Sequence, residues 1–213
     1  YDLRGNVIET QYPDGTRTRT VYDKAGRAVA STDRHLASAL KVRGSRTIFN
    51  SIGQVARSER LDDVKILVQD RVVNSVTTKE SVLESVGSVI SSTSTIYDKA
   101  GRVAESTNAD GQKTRFEYDK AGRQVAIVDA LGNRSKNEYD KLGRRVKAID
   151  ALKRETVFEY DVLSRLVKTI YPDKTFTSTE YNELGQRVSE TDQTGKIKKF
   201  DYDVQGRLVE VEL

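Results

Sequence analysis

The stretch that decides the fold runs from Tyr97 to Arg144. It reads Tyr97-Asp98-Lys99-Ala100-Gly101-Arg102, then Tyr118-Asp119-Lys120-Ala121-Gly122-Arg123, then Tyr139-Asp140-Lys141-Leu142-Gly143-Arg144, the numbering advancing by 21 each time. The same step continues to Tyr160 (Tyr-Asp-Val-Leu-Ser-Arg), Tyr181 and Tyr202, where Gly185 and Gly206 keep the glycine place. Toward the N-terminus, copies begin at Tyr1, Tyr22 and Phe49; the step is regular from Tyr1 to Tyr22, somewhat longer to Phe49, and more than doubled from Phe49 to Tyr97. Nine copies, six of them in strict register, exclude coincidence.

A second signal sits fourteen places after the regular tyrosines, where Gly15, Gly111, Gly132 and Gly195 end short turn-like runs. Lys153 and Lys174 hold that place in two copies, and the only prolines, Pro13 and Pro172, fall two places before it, where a turn needs a fixed φ. Each period thus carries two turns and two strand-length spacers. Lys113–Tyr118 alternates, with Thr114, Phe116 and Tyr118 on one side and charges on the other. The position seven after each copy's start reads Ile8, Val29, Ala56, Ala104, Val125, Val146, Val167, Val188 and Val209, and is expected to form a buried row. An Asp-x-x-Gly run fits a type I turn closed by a left-handed residue. The fold class is therefore all-β: tandem antiparallel hairpins in a curved or spiralling sheet, one array over residues 1–213. Regular repeats cover 1–60 and 97–213, and residues 61–95 read as an irregular insertion or as strands of one or two degenerate repeats, with the second preferred. The extra length between Tyr22 and Phe49 enlarges the loop around Leu36–Gly44. Phe116, Phe158 and Phe200 alternate with Asn137 and Thr179 two places before their tyrosines, a rhythm of two repeat periods in which alternate hairpins meet different neighbours.

Composition agrees with a structure of large surface for its mass, at 36% hydrophobic and 32% charged residues. Without cysteine there is no disulfide or thiolate chemistry. Position 1 is Tyr and Met is absent, which reads as excision from a longer chain. The net charge of +4 is spread along the chain, so no nucleic-acid partner is expected. His35 is the only histidine, which leaves no catalytic constellation; no cofactor and no metal are expected. The repeated Asp of each Tyr-Asp pair is expected to satisfy its own turn backbone rather than bind calcium. The recurring Lys and Arg read most simply as the wet face of the strands and a guard against edge pairing.

The Tyr-Asp-Lys-Ala-Gly-Arg cores, the regular period and the companion turns together resemble the YD or Rhs repeat family, which includes Rhs polymorphic toxins, the B and C components of Tc toxins, and teneurins. The resemblance implies long hairpins winding into a hollow shell, with a toxic C-terminal domain held inside in the bacterial members. It also implies a bacterial, secreted or cell-surface setting, as a fragment of a larger exported protein, and partners in the rest of the shell and its enclosed effector. That family's shell-closing motif, with its Asp-Pro-x-Gly element, matches nothing here, since Pro13 and Pro172 follow Tyr12 and Tyr171. The alternative function is a carbohydrate or cell-surface adhesion module, in which the tyrosines stack on glycans. The structural repeat positions on either reading are Tyr1, Tyr22, Tyr97, Tyr118, Tyr139, Tyr160, Tyr181 and Tyr202 with the glycines named above.

Two further expectations concern exceptions. Ser164, Lys153 and Lys174 stand where the other copies have glycine, so they should adopt positive φ, and the Tyr160 copy, which holds two of them, should be the least regular. Strand edges near 1–9 and 198–213 should promote edge-to-edge self-association.

Overall fold

The computed structural model describes residues 1–212, and Leu213 lies outside them. All of its regular structure is strand, in two compact units, Tyr1–Thr114 and Arg115–Leu213.

The first unit contains β1 (Glu9–Gln11), β2 (Thr16–Tyr22), β3 (Ala28–Thr32), β4 (His35–Leu36) and β5 (Gly44–Phe49). It continues with β6 (Val55–Leu61), β7 (Val64–Val73), β8 (Val76–Val86), β9 (Val89–Tyr97) and β10 (Val103–Thr107). Its main sheet is antiparallel, in the spatial order β1, β2, β3, β5, β6, β9, β10. In the enlarged loop, β4 pairs with the start of β2 through Thr16↔Leu36 and Arg17↔His35.

The second unit opens inside β11 (Lys113–Tyr118) and is a plain meander. It runs through β12 (Gln124–Val128), β13 (Arg134–Tyr139), β14 (Arg145–Ile149), β15 (Glu155–Tyr160) and β16 (Leu166–Ile170). β17 (Phe176–Tyr181), β18 (Arg187–Thr191), β19 (Ile197–Tyr202) and β20 (Leu208–Glu212) complete it, each strand antiparallel to the next in sequence.

The repeat turns share one construction. In the Tyr118 copy the Gly122 amide donates to the Asp119 carbonyl at 3.0 Å, and the Asp119 amide to the Arg123 carbonyl at 3.0 Å. That is a type I turn followed by a left-handed residue. The companion turns repeat it, as at Asp129, where Gly132 donates back at 3.1 Å. Beyond the turn the register slips: Tyr118 pairs with Gln124 and Glu117 with Ala126, so Val125 is the extra residue of a β-bulge. The slip recurs at Val29, Ala56, Ala104, Val146, Val167, Val188 and Val209. From Val29 onward, the position-seven row is thus a row of bulge residues. It is not the buried row expected: Ile8 is buried, the copies between are half-buried, and Val209 is 63% exposed. In the second unit each strand pairs only with its neighbours in sequence, and the row's side chains there run from half-buried to exposed.

Of the two readings of residues 61–95, the strand pairing follows the insertion and not the degenerate repeats. β6 pairs directly with β9, through Arg57↔Ser94, and between them β7 and β8 form a separate two-stranded arm. The arm accounts for the lengthened gap from Phe49 to Tyr97. Asn74 and Ser75 close it with φ of +49° and +65°, the left-handed pair of a type I′ turn. The helix-like spacing of Val82, Leu83, Val86, Val89 and Ile90 arises where β8 ends and β9 begins around Gly87. Val64 and Ile66 of the arm are buried with Val21, Ala30 and Leu61 of the sheet, and Leu83 and Val86 pack against them. Arg19 donates to the Ile66 carbonyl at 2.8 Å, and the Ser81 hydroxyl to the Thr20 carbonyl at 2.6 Å. The approach is close enough that a Cβ on Gly44 would run into the Ser31 carbonyl and come within 2.7 Å of the Val64 side chain. Buried Glu59 is held between Arg46 and Arg57, at 2.7 and 3.0 Å, which supplies the partners a buried carboxylate requires.

Lys153, Ser164 and Lys174 have φ of +63°, +65° and +70°, beside +78° to +86° for the turn glycines. The Tyr160 hairpin nevertheless keeps its neighbours' register and turn bonds, so the expected irregularity is absent: the bonding pattern absorbs the strain locally. Glycine removes the Cβ clash but frees the unfolded chain. Replacing each of the three by glycine should stabilise by about 0.5–1 kcal/mol, additively because the turns are separate. Urea melts of the single and triple variants check this, and lowered midpoints in all three would contradict it.

Candidate functional site

What recurs from hairpin to hairpin is a polar clasp, built first within one turn and then toward the next. The Asp of each Tyr-Asp pair accepts bonds from two backbone amides of its own turn. Asp119 Oδ1 takes the amides of Ala121 and Arg123, both at 2.9 Å, and its Oδ2 takes Arg123 Nε at 2.7 Å. Asp98, Asp140, Asp161 and Asp203 do the same with Arg102, Arg144, Arg165 and Arg207. The carboxylate is consumed by its own turn, which leaves no open ligand array, and no metal-binding cluster is found among the described residues.

The arginine then reaches outward. Arg123, Arg144 and Arg165 lie over the rings of Tyr139, Tyr160 and Tyr181, at 4.7, 4.9 and 4.1 Å from the ring centres. Each ring belongs to the following hairpin. Arg27 covers Phe49 in the same way at 4.3 Å. A second guanidinium nitrogen donates to the next turn's backbone: Arg123 to the Asp140 carbonyl at 3.3 Å, Arg144 to that of Asp161 at 3.1 Å. Gln54 and Gln186, at the arginine place in their copies, reach the carbonyls of Gly101 and Gly206 at 2.7 and 3.3 Å.

The tyrosine closes the clasp from the other side. Tyr139, Tyr160 and Tyr202 donate their hydroxyls to the carbonyls of Gln124, Arg145 and Arg187, each at 2.9 Å. Tyr22 and Tyr97 reach Val7 and Val55 at 3.2 and 3.0 Å. The acceptor always holds the same place in the preceding copy, and for Tyr97 and its successors that place is just before the bulge residue. A bulge disrupts the ladder locally, and the hydroxyl supplies an outside partner there. Tyr1, with no copy before it among these residues, is 76% exposed.

Sequence reading placed these arginines on the wet face, and that is corrected: their side chains are mostly half-buried, 23% exposed at Arg144, because the stems lie along the next ring. At two of its three phenylalanines the alternation of Phe with Asn or Thr also finds a cause, whereas Phe116 follows Val103 at the same spacing. Arg145 covers Phe158 at 4.6 Å and Arg187 covers Phe200 at 4.2 Å. Where Gln124 or Leu166 holds that arginine's place, the residue across is Asn137 or Thr179. From Gln124 onward the signal was present as a covariation between these two places of successive copies, legible only once the hairpins are known to lie side by side. His35 joins no site: its Nδ1 contacts the Asp33 carbonyl at 2.8 Å, and the Asp33 carboxylate is bound by Arg60.

Removing both Arg144 and Tyr160 should show coupling. A double-mutant cycle of Arg144→Ala and Tyr160→Ala is expected to give a coupling of about 0.5–1 kcal/mol, the worth of a half-exposed guanidinium on a ring. A coupling near zero in urea melts would remove the clasp as a stabilising link. Acid sensitivity follows from the carboxylates. Side-chain bonds from Arg27, Arg102 and Arg123 hold Asp23, Asp98 and Asp119 below the ordinary range, and Thr16 and then Arg34 hold Asp14 down to about 2. A depressed folded value contributes stability above the unfolded pKa of about 3.9 and loses it as pH falls through the folded value. The urea midpoint should be level from neutrality down to about pH 5, then fall steadily toward pH 2. A midpoint indifferent to acid would contradict the assignment.

Comparison with known proteins comes to the same repeat. No curated protein matches the sequence. Among solved structures, the crystal structure of TcdB2-TccC3 aligns over 99% of this chain and 14% of its own, at 17% identity and a TM-score of 0.48. The form of that complex without its hypervariable C-terminal region aligns over 99% and 13%, with the same identity and score. The Tc holotoxin pore of Photorhabdus luminescens aligns over 99% and 15%, at 15% identity and a TM-score of 0.32. The chain therefore spans about one seventh of the length of these structures. The RHS Repeat family matches over residues 97–134, 139–175 and 181–212, half of the chain in all. Those limits fall on the hairpins whose turns, bulges and clasps are described above, and the chain belongs to the RHS repeat family.

Proposed function

We propose that this chain is a non-catalytic stretch of wall in an Rhs-type shell that encloses and helps deliver an effector domain, in a secreted or cell-surface protein of bacterial origin. Residues 1–213 act as one structural array on this reading, and the repeat tyrosines and glycines named from the sequence serve as its construction points. The single observation that carries it is the clasp. Each hairpin commits its conspicuous side chains to its neighbour or to itself: arginine to ring, hydroxyl to bulge carbonyl, carboxylate to its own turn. Such a surface is organised to continue itself, as repeat arrays do, with each unit stabilised by the ones beside it.

The adhesion reading draws less support. A tyrosine that stacks on a sugar needs a free ring face, and at Tyr139, Tyr160 and Tyr181 one face lies under a guanidinium. The test uses the natural gene product that carries this segment. Under limited proteolysis it should shield an internal polypeptide, and a variant with Arg123, Arg144 and Arg165 all changed to Ala should expose that polypeptide to cleavage. Absence of any shielded polypeptide, or glycan-array binding that the same variant strengthens by freeing the rings, would count against the wall.

A further inference from the structure

Outside the clasp, one dipeptide carries a chemistry that needs no ligand. Aspartate is followed by glycine at two places, Asp14-Gly15 and Asp110-Gly111. In such a pair the side-chain carboxyl carbon and the glycine amide nitrogen can close a succinimide ring, and the missing Cβ leaves that nitrogen uncrowded. Both pairs sit in companion turns of one geometry. Gly15 and Gly111 each have φ of +78°, and a Cβ on either would point into open space. Each donates its amide at 3.0 Å to the carbonyl at the head of its turn, Tyr12 or Asn108. Opening that bond is common to both, so the carboxylates decide between them.

The carboxylates differ because the turn heads differ. Asn108 braces its own turn, its Oδ1 accepting the amides of Asp110 and Gln112 at 3.1 and 2.9 Å. The Asp110 carboxylate is left exposed, with no hydrogen bond or ion pair among the described residues. Tyr12 has no side-chain acceptor placed for that task, and Asp14 does it from within the turn. Asp14 Oδ1 accepts the Thr16 amide and hydroxyl at 3.0 and 2.6 Å, and its Oδ2 accepts Arg34 Nη2 at 2.6 Å. Asp173, in the turn headed by Tyr171, holds the Thr175 amide and hydroxyl in the same way, at 3.0 and 2.6 Å. The bonds from Thr16 and then Arg34 also keep Asp14 ionised, down to about 2, whereas ring closure needs a protonated carboxyl from which water can leave. Pro13 further fixes φ inside the Asp14 turn, where the Asp110 turn has Ala109.

We propose that Asp110-Gly111 is a self-modifying site that converts to isoaspartate in the folded chain, while Thr16 and Arg34 protect Asp14-Gly15 from the same reaction. The Gly111 nitrogen bonds to Asp110 Cγ and releases its proton, and a carboxyl oxygen leaves as water. Water then adds back to the ring. Addition at the Cγ carbonyl restores aspartate; addition at the main-chain carbonyl leaves the chain running through Cβ and Cγ, with a free α-carboxylate. The water lost is the water regained, and no oxidant or reductant takes part. The product has an extra methylene in the main chain, so the bond from Gly111 to Asn108 no longer closes as before and the turn between β10 and β11 loosens. Nothing in this chemistry rests on the wall reading.

The test stores the full chain in warm neutral buffer and maps the tryptic peptides 5–17 and 103–113 by chromatography and mass spectrometry. Methyl transfer from S-adenosylmethionine by an isoaspartyl methyltransferase gives a second readout. An isomer of 103–113 with unchanged mass should accumulate at least about tenfold faster than any isomer of 5–17, since the Asp14 bonds must break before its carboxyl can turn onto Gly15. In concentrated urea, where neither carboxylate is held, the two rates should converge. Arg34→Ala combined with Thr16→Val should speed the reaction in 5–17 and leave 103–113 as it was, and Asp110→Glu should abolish methyl incorporation into 103–113. Hydrogen exchange at the Gly111 and Gln112 amides should quicken in the aged chain. No isomer of 103–113, equal rates in the folded chain, or a rate in 5–17 that the paired variant leaves unchanged would overturn the assignment.

Discussion

The rest of the structure depends on one constraint: a hairpin of two short strands cannot stand alone in water, so each must be fixed to the next. The second unit does this almost without a hydrophobic core, burying Ala126 and Phe200 while most other side chains remain half-wet. The backbone ladder between hairpins, reinforced by the tyrosine hydroxyl on the bulge-side carbonyl and the arginine laid over the ring, carries the attachment instead. The bulge creates the acceptor, the type I turn with its left-handed residue sets the register that produces the bulge, and the Asp carboxylate holds that turn. Glycine, aspartate, arginine and tyrosine recur together because they are parts of one joint.

The first unit solves the same problem differently. There the β7–β8 arm folds back on the sheet and brings together residues far apart in sequence, Arg19 with Ile66 and Ser81 with Thr20. Leu61, Val64 and Ile66 are buried as in an ordinary domain, and the close approach at Gly44 marks the seam. The arm sits where one companion turn of the repeat would otherwise be, a tolerant place for an insertion because β6 and β9 still pair across it.

The strands, the turns and the left-handed residues were legible in the sequence because they are local: strand alternation and the Asp-x-x-Gly turn each act over a short stretch, and the constant step merely repeats them. What escaped is what happens between hairpins. Val125 and its equivalents looked like core because β-branched residues fit both a core and a bulge, and nothing local separates the two. Arg123 looked like surface because its ring partner, Tyr139, lies on another hairpin, beyond the reach of any local pattern. The arm stood between an insertion and worn repeats because its valines alternate in the same way, while its Asn74-Ser75 turn is shorter than the repeat's own.

The two units therefore differ in how they come apart. A chain of joints that each involve nearest neighbours has no single event whose loss releases all of it; such an array frays from an edge, one hairpin at a time, with a nearly constant cost per step. The first unit, whose arm ties β2 and β3 to β6 through a shared core, lets go as a block. Pulled or heated, the same polypeptide would behave as a zip fastener over its C-terminal half and as a latch over its N-terminal half.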